Sequence, residues 1–346
     1  MTSRERLLCA LRGGTPDRVP VAPFGLGRIA PDSPLGQELI EGTDLLFEVW
    51  SGGEPLLGSD LGTSSDTDGD TTTILIETPG GKLRRRIRRT SVTSATVEFP
   101  LKSAADAEAI LELPYVAPEA NPADYHKWRK TIGEQGFVMV GIGSAVCLAA
   151  EWFSPEQFAL MWAERPDLLI RMTATASERL IAYVESLCKA GVEGFRIVGG
   201  EYVSVQLGPR AFRELVIPFD TELARVIHQH GAVAYYHNHG RVTRYLPLLA
   251  DLGMDALDPL EAPPWGDVDL AHARRAVGGQ LCLVGNLDDM EIVDALPTEE
   301  VVAIARERLR AAGRRAFVLG GTASGSYGER GARNFLAMAD MVARGG

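Results

Sequence analysis

Two histidines separated by one residue, His237-Asn238-His239, follow directly on the apolar run Ala232-Val233-Ala234-Tyr235-Tyr236. On an extended strand, residues i and i+2 point to the same side, so the spacing lets both imidazoles face one ligand. Glu261 ends the next apolar run, Ala256-Leu257-Asp258-Pro259-Leu260, and offers a hard anionic oxygen. Two imidazoles and a carboxylate, His237, His239 and Glu261, would leave a divalent cation Lewis acidic, with positions open to water, alcohol or thiol. The competing reading gives one histidine a structural hydrogen bond and the other a helix cap.

Further polar groups stand just past other apolar runs. Glu201 follows Gly199-Gly200, where a small backbone lets a ligand approach, and is a candidate general base, further metal ligand or partner for a substrate cation. Asn286 follows Gly285 and is a candidate for hydrogen bonding to substrate; a turn-forming amide is the alternative. Ser324 lies in the Gly321-Thr322-Ala323-Ser324 loop, and Tyr202, Tyr236 and Trp265 stand near run ends, where they would wall a substrate pocket or pack in the core.

What must position these groups is a repeating pattern. Short apolar segments at Phe137–Gly141, Gly194–Val198, Ala232–Tyr236, Ala256–Leu260, Leu281–Gly285 and Ala316–Gly320 alternate with helical stretches such as Arg210–His230, Thr298–Ala312 and Arg333–Ala343. Buried strands alternating with helices imply a parallel sheet covered on both faces. With an early strand at Val19–Phe24 and one irregular element, the count predicts an α/β chain folded as a TIM-type (β/α)8 barrel. In such a barrel, active-site groups sit at the C-terminal strand ends. No GxGxxG follows the first strand to favour an open dinucleotide-binding sheet. The segment from Asp44 to Leu57 gives no clear signal. Between residues 71 and 100 the texture becomes β-branched and alternating, which predicts an N-terminal antiparallel β-hairpin insertion beside a single barrel domain spanning 1–346.

Composition narrows the class. The chain is 45% hydrophobic and 23% charged with a net charge of −11, the balance of a globular protein without a nucleic-acid-binding surface. No apolar run approaches the roughly 20 residues that cross a bilayer. The opening Met1-Thr2-Ser3-Arg4-Glu5-Arg6 leads into an amphipathic helix rather than a signal core, so a cytoplasmic location is expected. Cys9, Cys147, Cys188 and Cys282 are scattered without CxxC spacing and are read as buried free thiols. Lys82, Arg84, Arg85, Arg86, Arg88 and Arg89 form a cationic run in an acidic protein, readable as a docking surface for an acidic partner or as a solvated, charge-guarded hairpin.

Several segments carry a family resemblance. Arg4-Glu5-Arg6-Leu7-Leu8-Cys9-Ala10-Leu11-Arg12-Gly13 followed by Pro16-Asp17-Arg18-Val19-Pro20-Val21 resembles the start of uroporphyrinogen decarboxylase-like proteins. So do Ala211-Phe212-Arg213-Glu214 through Ile227-His228 to His237-Asn238-His239-Gly240, the run from Asp251 to Glu261, and Gly285-Asn286-Leu287-Asp288. Together these segments span nearly the whole chain. The superfamily includes uroporphyrinogen decarboxylases, corrinoid-linked methyltransferases and the barrel of cobalamin-independent methionine synthase.

The resemblance implies a zinc site in which His237 matches the family histidine, His239 falls on the first cysteine, Ser324 falls near the late one, and Glu261 resembles the methionine synthase glutamate. Loss of both thiolates makes the site harder and more electrophilic. The implied activity is methyl transfer between a small methylated or methoxylated compound and a corrinoid (methylcobalamin) carried by a partner protein. A homodimer is a further assembly to expect. The decarboxylase reading ranks second. Its R-Q-A-G-R-Y-x-P segment corresponds to Phe24-Gly25-Leu26-Gly27-Arg28-Ile29-Ala30-Pro31, where Arg28 is kept as a substrate-binding candidate and Phe24 replaces the first arginine. A metal-assisted hydrolase and a non-catalytic ligand- or corrinoid-binding barrel are the other readings.

Overall fold

Residues 1–58, 62–91, 93–322 and 326–345 are described by the computed structural model. Eight parallel strands form the body. In chain order they are β1 (Val21–Ala22) and β2 (Leu45–Trp50), then, after an insertion of four strands, β7 (Gly136–Gly143), β8 (Gly194–Val198), β9 (Val233–His237), β10 (Ala256–Asp258), β11 (Cys282–Leu287) and β12 (Phe317–Gly321). Their spatial order is β1-β12-β11-β10-β9-β8-β7-β2. A parallel bridge between Phe24 and Leu46 joins the two ends, with Gly25 N–H donating to Leu46 O at 2.7 Å. The sheet therefore closes on itself as a barrel, as the alternating pattern predicts.

Strand alternation explains why these runs are almost wholly apolar. One set of side chains fills the lumen: Leu46, Phe137, Met139, Val233, Tyr235, Ala256, Cys282, Val284 and Val318. The other set, including Val138, Val140, Phe195, Ile197, Tyr236, Leu257 and Leu319, packs beneath the surrounding helices. Both faces are buried, so polar residues are rare in these strands. The opening helix Ser3–Leu11, capped by a Thr2–Glu5 box, plugs the N-terminal end of the lumen with Leu7, Ala10 and Leu11. Buried Asp44 fastens that plug. It accepts from Arg6 at 2.6 Å, from Arg18 at 2.7 Å and from Val21 N–H at 3.0 Å.

Three departures from the sequence reading have physical causes. The unassigned stretch from Asp44 to Leu57 holds β2, an apolar strand interrupted by Glu48. The expected helix Arg210–His230 is two helices, Pro209–Leu215 and Ile217–Gln229, because Pro218 has no N–H to donate across the break at Val216. The insertion is a four-stranded antiparallel sheet of β3 (Thr63–Asp68), β4 (Thr71–Thr78), β5 (Gly81–Arg89) and β6 (Ser94–Glu98), rather than strands confined to 71–100. Its first strand is Thr-Ser-Ser-Asp-Thr-Asp, exposed throughout and without any apolar residue to announce it. Among the described residues no helix is long and apolar enough to cross a membrane.

Candidate functional site

Alternation along β9 sends Tyr235 and His237 into the lumen and Tyr236 outward. His237 closes the strand at the C-terminal mouth, nearly buried, with Nδ1 2.8 Å from Asp258 Oδ1 and 2.6 Å from Arg196 Nη2. His239 lies beyond the strand end, yet its ring centroid is 4.3 Å from that of His237 with the planes at 89°. Its Nδ1 is 2.9 Å from Glu261 Oε1, while Glu261 Oε2 accepts the Gly240 N–H at 2.7 Å. Burial alone would lower the His239 pKa, but the bond to Glu261 and the charges of Glu261, Glu201 and Asp258 outweigh it and hold the pKa above the usual histidine value. For Glu261, burial acts upward and is overcome by His239 and the Gly240 N–H, so its carboxyl lies below the usual range.

The expected third ligand, Glu261, lies beside the pair with Oε1 on His239 Nδ1 and Oε2 on the Gly240 N–H. In this arrangement it orients the His239 ring, as Asp258 does for His237. Carboxylates on Nδ1 leave Nε2 of each ring without a protein partner among the described residues, the arrangement typical of metal-ligating histidines. Among the described residues no three His, Cys, Asp or Glu side chains converge as a cage. The donor set therefore fits a divalent cation as a two-nitrogen half-site, with the remaining positions left to water or substrate.

Beneath the histidines lies a charged network that the sequence reading did not single out. Arg196, on β8 and only 5% exposed, donates to Glu48 of β2 at 3.1 and 3.3 Å and lies 3.6 Å from Asp258 Oδ2 of β10. The Phe24 ring covers its guanidinium at 4.5 Å. Gly141 makes room for the Glu48 carboxylate, which a side chain at that position would strike. Two carboxylates against one guanidinium leave a surplus negative charge under the mouth. Burial pushes the Glu48 pKa up more than Arg196 pulls it down; for Asp258 burial also acts upward, but His237 and Arg196 prevail and its carboxyl stays below the usual range. The available signal was a charge inside a buried run, Phe195-Arg196-Ile197 and Ala256-Leu257-Asp258.

The other candidates divide. Glu201 opens the short helix Glu201–Ser204, has its Oε2 buried without a hydrogen-bond partner among the described residues, and contributes to the raised pKa of His239, so it belongs to the mouth. Asn286 is buried and donates from Nδ2 to Leu260 O at 3.1 Å, and its Oδ1 has no hydrogen-bond partner among the described residues. Tyr202 is half-buried, its phenol pushed well up by burial and by the neighbouring Cys147, Glu151 and Glu201. Tyr236 does not wall a pocket: it is 1% exposed on the outer face of β9, and its hydroxyl donates to Asp220 at 2.7 Å. Trp265 projects into solvent at 59% exposure. Arg28 is held at the rim by Asp294 at 3.0 Å and Ser326 O at 2.7 Å, apart from the histidines. Ser324 lies outside the described residues.

The Gly199-Gly200 pair does not clear space for a ligand, as its small backbone suggested. A side chain at Gly199 would meet Cys147, and one at Gly200 would meet Asn238 Oδ1 and, at 2.7 Å, the Tyr236 hydroxyl. Gly200→Ala is therefore expected to push on the Asn238 segment between the histidines and to cost about 1–3 kcal/mol, read as a lowered midpoint in urea denaturation.

Within the insertion, Lys82 pairs with Glu77 and Arg84 with Glu98, both at 2.9 Å, and Arg85 leans over Trp152. Part of the cationic run is thus neutralised within its own sheet. The four cysteines are free; Cys147 and Cys282 are buried, whereas Cys9 and Cys188 are only partly so.

A closed parallel barrel with histidines and carboxylates gathered at its C-terminal mouth is the architecture of a barrel enzyme site. Residues 105–344 match the family described as Uroporphyrinogen decarboxylase (URO-D), and the chain belongs to that family. Among solved structures it is similar to a methyltransferase from Methanosarcina mazei, with 17% identity, a TM-score of 0.70 and 99% of each chain covered. It is more distantly similar to a B12-independent methionine synthase from Shewanella sp. W3-18-1, with 14% identity, a TM-score of 0.47 and 75% of each chain covered. None of the curated proteins compared with it matches. At these identities the first likeness speaks for the fold.

Proposed function

We propose that this URO-D family barrel is a metal-dependent methyltransferase or demethylase, moving a methyl group between a small methylated or methoxylated compound and a corrinoid carried by a partner protein. The observation that carries this reading is the pair of carboxylate-backed imidazoles at the barrel mouth, His237 on Asp258 and His239 on Glu261. A divalent cation of the zinc class on the two Nε2 atoms would supply Lewis acidity toward a donor oxygen or an acceptor thiol. Asp258 and Glu261 hold the rings in place, and the surplus charge of Glu48 and Asp258 over Arg196 favours a cation above them. Glu201 and Asn286 offer oxygens without a partner among the described residues to hydrogen-bond donors of a substrate.

A polycarboxylate such as a porphyrinogen is less well served. Arg196 is committed to Glu48 and Asp258 under the Phe24 ring, and Arg28 to Asp294. The lumen beneath the mouth carries the same sign of charge as such a substrate.

Elemental analysis of the purified protein is expected to find a stoichiometric divalent ion. His237→Gln and His239→Gln are each expected to lose that ion and methyl transfer to or from methylcobalamin while the fold persists. Protein that is metal-free as purified and fully active would end the reading. Variants that lose the ion but keep substrate affinity and have no turnover to lose would instead mark a binding module.

A further inference from the structure

The N-terminal end of the barrel, opposite the histidines, holds a cavity with a chemistry of its own. Its walls are the Asp17-Arg18-Val19 segment leading into β1, the end of the helix Thr298–Ala312 with Arg314 beyond it, and the last turn of the helix Glu329–Ala343. Strand direction fixes its place: Val19 precedes β1 and Arg314 precedes β12, whereas His237 ends β9. The cavity measures about 480 Å³, within the range of small-molecule sites.

Four arginines and one aspartate give it its charge. Two of these five are already paired. Asp17 accepts from Arg6 at 2.7 and 3.1 Å and from the Met1 amine at 3.2 Å, and Arg18 holds Asp44 at 2.7 and 3.2 Å. The other three cations have no ion-pair partner among the described residues. Arg314 donates to two carbonyls, Asp17 O at 2.6 Å and Pro16 O at 3.4 Å, and these are neutral. Arg306 and Arg310 stand one turn apart on the same face of their helix, exposed, with no hydrogen bond or ion pair among the described residues.

Helix ends explain only part of this cluster. A cation in the last turn offsets the partial negative charge of a helix C-terminus, and Arg310 stands there. Arg306 lies a turn further back, and Arg314 lies past the end. The concentration is local, since the chain as a whole carries −11. Guanidinium groups offer donors and no acceptor, and three of them around one cavity repel each other. What completes such a cavity is an anion with several acceptor oxygens and more than one negative charge. Leu309, Val342 and Ala343 add an apolar wall.

We infer that this cavity binds a small soluble molecule bearing a phosphate or diphosphate group, held by Arg306, Arg310 and Arg314, with its uncharged part against Leu309 and Val342. Guanidinium forks match phosphate oxygens in pairs. The concave shape suits a small molecule better than a membrane surface. Bound there, the anion ties the segments that lead into β1 and β12, paired strands of the closed sheet, to the C-terminal helix. The site stands apart from the cation proposed for the mouth and does not rest on it.

The test is calorimetric titration of the full chain with pyrophosphate at physiological ionic strength, which is expected to show one site per chain and a melting temperature that rises on saturation. Arg306→Gln and Arg310→Gln should each weaken binding about tenfold or more, since each loses charge-assisted hydrogen bonds. Glutamine suits an exposed helix position, so both variants should fold. Arg86→Gln combined with Arg88→Gln, on β5 of the insertion, should bind as wild type does. So should His239→Gln, which lacks the proposed metal site.

Undiminished binding when Arg306→Gln and Arg310→Gln are combined overturns the inference. An equal loss in the insertion variant does so too, because the attraction would then be to arginine in general. Loss in His239→Gln would put the anion on a cation at the mouth and end the proposal. No saturable heat and no melting shift would end it as well, as would binding confined to vesicles of an anionic phospholipid.

Discussion

Arg196→Met is expected to cost the fold about 3–5 kcal/mol, measured as the loss of unfolding free energy in urea at neutral pH. Typical domain stabilities are about 5–15 kcal/mol, so a change of that size would take a large share of the whole. The reason is what the substitution leaves behind. Methionine fills much of the volume under Phe24, so packing is not the main loss. Glu48 and Asp258, however, remain as buried carboxylates facing one another across the lumen with their shared cation removed. Introducing Glu48→Gln alongside Arg196→Met removes one stranded charge and should recover part of the loss, so the two substitutions should be non-additive. A single variant within about 0.5 kcal/mol of wild type, the range of ordinary surface changes, would show that the lumen hydrates or rearranges around the carboxylates.

The same network shows where sequence reading reaches its limit. The apolar segments at Phe137, Gly194, Ala232, Ala256, Leu281 and Ala316 announce their strands because both faces of each are buried, and the barrel follows from their alternation with helices. β2 hid because Glu48 breaks its apolar run; in the folded chain that same residue is the anion held by Arg196. A buried charge reads as a fault in the strand pattern until its partner is known, and here the partners lie on β2, β8 and β10, far apart in sequence. The histidine pair was legible from its spacing, although the pleat argument applies only in part. His239 lies past the end of β9, and its approach to His237 is set by the loop and by Glu261 rather than by strand alternation. The bond from Gly240 to Glu261 was not legible, because the Gly240 N–H that meets its second oxygen is a backbone group. Tyr236 sits one residue from His237, and the strand period that makes His237 face the lumen sends Tyr236 to the opposite side.

That outward residue leads to a pH dependence. Asp220, on the helix Ile217–Gln229, is fully buried and accepts the Tyr236 hydroxyl at 2.7 Å. Burial pushes its carboxyl up to about 7, against the smaller opposing pull of Tyr236 and of the Ala145 N–H. An unfolded aspartate titrates near 3.9, so between these values the unfolded chain gives up a proton that the folded chain keeps. The contribution of Asp220 to stability is therefore full below about pH 4, declines as the pH rises, and is lost once the folded group ionises near neutrality. The stability at stake across that window is about 4 kcal/mol, an upper bound for a group that can gain water by local movement. Asp220→Asn keeps an oxygen for the Tyr236 hydroxyl and removes the titration. The variant is expected to match wild type near pH 4 and to exceed it progressively toward pH 8, as read by urea denaturation across that range. Stability curves that run parallel for the two proteins would mean that Asp220 ionises in the folded state as readily as in the unfolded one, and that its burial is relieved by hydration between the helix and β9.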